Sequence, residues 1–145
     1  MWGSRKQGAL ASTGAAADTT KARGDAAEAL ALAHLRGHGL RLVQRNFRTP
    51  GRGGGEVDLI MREPDGTLVF VEVRQRASSR QGGAGASITG VKQRRIVFAA
   101  RHFLLHLGSE PPCRFDVVLI EGVAGTDGPA RLEWLRAAFD APAAF

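Results

Sequence analysis

Gly55-Glu56-Val57-Asp58-Leu59-Ile60 and Phe70-Val71-Glu72-Val73-Arg74 are the stretches whose reading decides the fold. Both are apolar and strand-like, and both carry acidic residues where a buried strand should be apolar. Between them, Glu63-Pro64-Asp65-Gly66-Thr67 reads as a tight hairpin. Proline suits the first central position of a type I turn, and Gly66 can take the left-handed conformation after it. A loop of Pro64, Asp65 and Gly66 sets Glu63 against Thr67. Carried down an antiparallel ladder, that register opposes Asp58 to Glu72 and Glu56 to Arg74.

Opposed side chains on one face lie roughly 4.5–5.5 Å apart at Cβ, and like charges there are destabilising. Residues two apart share a face, so Glu56, Asp58, Glu72 and Arg74 are expected to form one polar square. Val57, Leu59, Val71 and Val73 then turn together into the core. Two adjacent carboxylates require a cation or a retained proton. A hard divalent ion with oxygen ligands, Mg2+ above all, suits the place. Spacing alone leaves a second reading open. Glu56 and Arg74 can be an ordinary cross-strand ion pair, with Asp58 and Glu72 facing solvent from a half-exposed sheet.

The same two segments, extended through Gln75-Arg76, resemble the signature segments of the bacterial YraN-type family. That family is placed in the restriction-endonuclease-like, PD-(D/E)xK superfamily. Gly24-Asp25-Ala26-Ala27-Glu28-Ala29-Leu30-Ala31, Arg45-Asn46-Phe47-Arg48, Lys92 and Arg114-Phe115-Asp116-Val117-Val118 fit as well, in the right order. The resemblance implies Mg2+ or Mn2+ held by Asp58 and Glu72, with Glu28 or Glu56 as a direct or water-mediated ligand. The superfamily's lysine, two residues after the Glu, is here Arg74. A guanidinium stays protonated and cannot be a general base, though it can stabilise charge on a phosphate. Lys92, on a neighbouring helix, is the candidate to act in its place. The implied function is a metal-dependent, endonuclease-like activity on phosphodiester bonds of DNA or another structured nucleic acid. The alternative is a nucleic-acid-binding protein with a degenerate site, which Arg74 supports. A third reading is a small interaction protein whose polar square is only structural.

The chain has 145 residues, a net charge of +6 and 43% hydrophobic residues, which fits one domain with a modest core and favours polyanionic partners. Placement adds to this: Arg74, Arg76 and Arg80 follow the acidic pair, then a Gly-rich stretch, then Lys92, Arg94, Arg95 and Arg101. Arg74, Arg76, Arg80, Lys92 and Arg95 are the expected contacts to a phosphate backbone. A homodimer is compatible with a duplex that has two strands to cut. The single cysteine, Cys113, rules out an intramolecular disulfide, and no apolar run reaches the length of a membrane span. Residues 1–22 lack the compact apolar stretch of a secretory signal and read as a disordered tail, so a cytoplasmic protein is expected. His34, His38, His102 and His106 lack the partners of a zinc motif and read as surface residues. Trp2, Trp134 and the phenylalanines are too scattered in sequence for a base-stacking platform.

The remaining pattern predicts an α/β domain over 23–136 and a C-terminal tail over 137–145. A helix is expected over Asp25–Arg36, a strand over Leu40–Arg48, and a flexible connection through the glycines of 51–55. The hairpin of Val57–Met61 and Thr67–Arg74 follows. Thr89 caps a helix running to Leu107, Phe115–Ile120 is a central strand, and Arg131–Leu135 is an edge strand. The order αβββαβ implies a restriction-endonuclease-like mixed sheet flanked by helices.

Overall fold

The computed structural model describes residues 15–51, 53–76, 88–122 and 130–141, with side chains from residue 21 onward. Arg80, the Gly-rich stretch around it, most of the expected N-terminal tail and the last four residues of the expected C-terminal one lie outside the described residues. Helix α1 spans Ala15–Gly37, followed by strands β1 (Arg41–Arg48), β2 (Glu56–Arg62) and β3 (Leu68–Arg76). Helix α2 (Gly90–Leu107) crosses to β4 (Cys113–Glu121), and β5 (Arg131–Phe139) closes the sheet. Strand order follows the chain, with β3 and β4 parallel and the other neighbouring pairs antiparallel. The result is a single mixed α/β sheet with a helix on each face, as expected.

Alternation along the strands builds two core layers. Leu59, Met61, Val69, Val71, Val118 and Ile120 pack under Ala27, Ala31, Leu32 and Leu35 of α1. Ile60, Leu68, Phe70 and Phe115 pack under Ile96, Ala99, Ala100 and Phe103 of α2. Thr89 caps α2 by accepting the Lys92 N–H at 3.2 Å, and Gly108 ends it in the left-handed conformation at φ 76°. The hairpin closes as its turn chemistry requires: Glu63 N–H donates to Thr67 at 2.9 Å and Gly66 sits at φ 98°.

Three boundaries differ from expectation. Helix α1 begins at Ala15, so the end of the presumed tail is helical. Ala15-Ala16-Ala17 has the strongest helix propensity, and Lys21 pairs with Asp25 at 3.1 Å one turn on. Strand β5 runs past Leu135 to Phe139 because the carboxylate of Asp116, fully buried in β4, holds its bulge. Asp116 accepts from Arg114 Nε, Trp134 Nε1 and the Ala137 N–H, each at 2.9–3.2 Å, and Ala137 is left-handed at φ 49°. The third is the glycine connection, which is pinned rather than flexible. Thr49 Oγ1 accepts the Gly55 N–H at 2.7 Å, and Arg95 Nε donates to the Gly54 carbonyl at 3.3 Å. A Cβ on Gly55 would stand 2.0 Å from the Arg95 carbonyl oxygen, so only glycine lets β2 start against α2.

Candidate metal centre

The β2–β3 ladder keeps the predicted register from Arg62–Leu68 to Leu59–Val71 and then stops. Counting alternate rungs from Glu63–Thr67, the next hydrogen-bonded pair would be Val57–Val73. It does not form. The Val73 N–H donates instead to Asp58 Oδ2 at 2.8 Å, so a side chain takes a backbone rung and the two strands part. Val57 accordingly leaves the layer of Leu59 and Val71 and joins the opposite one with Ile60 and Phe70. The expected polar square is therefore corrected. Neither Asp58–Glu72 nor Glu56–Arg74 is a rung of the β2–β3 ladder; Glu56 pairs with Arg48 of β1, in register and by charge at 3.8 Å. Arg74 remains on the Glu72 face of β3, two residues along, in register with Leu119 of β4.

Parting the strands leaves two carboxylates buried together. Glu72 is 5% exposed; its Oε2 takes the Lys92 ammonium at 3.2 Å, while Oε1 is buried and has no N–H donor. Burial, and then the charge of Glu72, pushes the Asp58 carboxyl up to about 7. Burial also raises Glu72, against the pull of Lys92. The charge of Glu56 raises both. From α1, Glu28 reaches the same place: its Oε1 accepts Asn46 Nδ2 at 3.3 Å and lies 3.6 Å from the Arg45 guanidinium. Burial and the charge of Asp58 raise its carboxyl too. Asp58, Glu72, Glu28, Glu56 and Lys92 are thus gathered at one parting of the sheet.

Among the described residues, no three carboxylate, histidine or cysteine side chains are already close enough to enclose a metal ion. The donor set still fits Mg2+, which binds through one or two carboxylates and keeps several waters. Asp58 and Glu72 supply the carboxylates: Glu72 Oε2 takes the Lys92 ammonium, and the two carboxyl groups are hydrogen-bonded to each other, Oε1 having no N–H donor. The other basic residues divide. Arg95 stands on the exposed surface of α2 beside the pinned glycines, whereas Arg76 is engaged by Glu121 at 3.4 Å and Glu133 at 3.7 Å. His34 and His38 pack on Trp134, with ring centroids 5.8 and 5.4 Å away, and His106 Nδ1 donates to a carbonyl one turn back at 2.8 Å. Asn46, at φ 50°, and Thr49 were not singled out as site residues in the sequence; Asn46 lies in the Arg45-Asn46-Phe47-Arg48 segment that carried part of the resemblance.

Comparison with known proteins agrees with the site's surroundings. The profile described as "Uncharacterised protein family UPF0102" matches residues 27–120, from α1 through β4. A UPF0102 protein of Polaromonas naphthalenivorans is 64% identical, with 97% of this chain and 99% of the relative covered. Those of Acidovorax sp. (strain JS42) and Paracidovorax citrulli are 65% and 66% identical, covering 88% and 85% of this chain and 91% and 86% of their own. No helix among the described residues is long and apolar enough to cross a membrane.

Proposed function

The chain belongs to the UPF0102 family, the restriction-endonuclease-like group that the strand motifs resemble, and from that membership we propose that it is a divalent-metal-dependent nuclease acting on DNA or another structured nucleic acid. The observation that carries the reading is the buried Asp58–Glu72 pair, two carboxyl groups hydrogen-bonded to each other and both raised by burial. Two such groups, held against their own repulsion where the sheet parts, serve no packing purpose that an apolar pair would not serve better. Asp58 and Glu72 would hold Mg2+ or Mn2+, with Glu28 and Glu56 placed for water-mediated contacts. Bound there, the ion would supply charge neutralisation at a scissile phosphate and activation of water. Asp58 would give up its proton on loading, with its Oδ2 held by the Val73 N–H at 2.8 Å. Lys92, which pairs with Glu72 at 3.2 Å, and Arg74, on the same face of β3, would take the phosphate oxygens.

A second reading, a nucleic-acid-binding protein that no longer cuts, is favoured by one observation: Arg74 stands where the resemblance places lysine. The discriminating experiment is cleavage of labelled branched, duplex and single-stranded DNA with Mg2+, Mn2+ or EDTA. Metal-dependent cutting by the wild type, absent in Asp58→Asn and Glu72→Gln, is the expected result. Binding of the same substrates without cutting by any form overturns the nuclease reading and leaves the binding one.

A further inference from the structure

The outward face of α2 is exposed. Val91, Phe98 and Leu105 recur there at seven-residue intervals and are 59%, 42% and 78% exposed. At 3.6 residues per turn they form a single ridge along the helix. Arg94 and Arg101 flank the ridge on one side, Arg95 and His102 on the other, all within an arc of roughly 120°. No Asp or Glu occurs anywhere in the helix. Folding also pairs aromatic residues that are unremarkable in sequence: the Phe98 and His102 rings lie 4.5 Å apart, one helical turn from each other.

A row of large apolar side chains in water marks an interaction surface. Its charge selects the partner. A second copy of this helix would bring Arg94, Arg95 and Arg101 against their own counterparts with no carboxylate to answer them. A polyanion with planar apolar faces satisfies both features, since phosphates suit the basic flanks and bases suit the ring pair. Only unpaired bases present those faces, because in a duplex they are hidden in the stack. Lys92 of the same helix reaches Glu72 at 3.2 Å from the inner side of α2, about 120° around the axis from Phe98, so the ridge runs along the side of the helix away from the acidic site.

We infer that the outward face of α2 is the track for a single-stranded arm of the substrate, with Phe98 stacking on an unpaired base. The inference rests on the nuclease reading for the polymer it names, and it narrows the substrate to nucleic acid with an unpaired arm.

The test separates the two claims. With the full-length chain in EDTA, fluorescence anisotropy measures binding of a labelled oligothymidine and of a blunt duplex of equal length. Phe98→Ala is expected to weaken single-strand binding about tenfold while leaving duplex binding nearly unchanged. Phe98→Trp is expected to restore affinity and to show base-dependent quenching of the new indole. Equal single-strand affinity of wild type and Phe98→Ala overturns the inference. So does a homodimer in light scattering that Leu105→Glu dissociates, which would assign the ridge to a second copy. Metal-dependent cutting of blunt duplex that ignores Phe98→Ala, with equal single-strand binding, would leave the nuclease reading standing and remove this one. Phe98-dependent binding without cutting would do the reverse.

Discussion

Replacing Asp58 by Asn should make the protein more stable at alkaline pH, and the size of the gain follows from the site. The Asp58 carboxyl is raised from its ordinary 3.8 to about 7, first by burial and then by Glu72. A group that holds its proton more tightly in the folded chain stabilises the fold below its unfolded value and loses that contribution as pH rises through the folded one. Between pH 5 and pH 8 the unfolded carboxyl is ionised throughout, while the folded one goes from protonated to ionised. At ~1.36 kcal/mol per pKa unit, the wild type should lose about 2–3 kcal/mol across that window from this group. Asn cannot ionise, fills the same volume and can still accept the Val73 N–H. Urea unfolding in EDTA at both pH values, for wild type and Asp58→Asn, reads this contribution together with the smaller change the substitution imposes on Glu72 and Glu28. The variant should match the wild type at pH 5 and exceed it by about 2 kcal/mol at pH 8. Parallel profiles, or a variant weaker at pH 8, would refute the claim that folding forces this carboxylate into a place that disfavours its charge.

Gly55→Ala should lower stability by about 3 kcal/mol, on the order of 10 °C in Tm, because its Cβ meets the Arg95 backbone rather than a yielding side chain; thermal unfolding measures it. Asp116→Asn should cost about 3 kcal/mol by leaving the Arg114 charge partly unanswered, with faster amide exchange at Ala137 as the local sign. If the proposed nuclease function holds, Lys92→Met should reduce cutting on the order of a hundredfold at saturating Mg2+, with metal affinity unchanged or higher, since Lys92 pairs with Glu72 at 3.2 Å and would face the phosphate.

The hairpin was legible because a turn's backbone demands are local: Pro64-Asp65-Gly66 sets the pairing, and four ladder pairs obey it. Strand alternation put Leu59 and Val71 together in the core for the same reason. The register stopped being a guide at Asp58. A side chain that captures a backbone N–H leaves no trace in hydrophobic periodicity, so the parting of β2 from β3 and the change of face at Val57 were invisible. The glycines before β2 read as flexible because composition does not show that Gly55 must touch α2. Lys92 was named through the family resemblance; its reach to Glu72 depends on where the crossover helix docks. At Arg76, clustering with other arginines in the sequence concealed its acidic neighbours on β4 and β5.

The most direct test of the central claim, that Asp58 and Glu72 form a divalent-metal site, is a titration of the full-length chain with Mn2+ at pH 8, read by electron paramagnetic resonance. One saturable ion per chain in the wild type, abolished in Asp58→Asn and in Glu72→Gln while both variants remain folded, is the predicted result. Binding that survives both substitutions, or a folded wild type that takes up no ion, would contradict it.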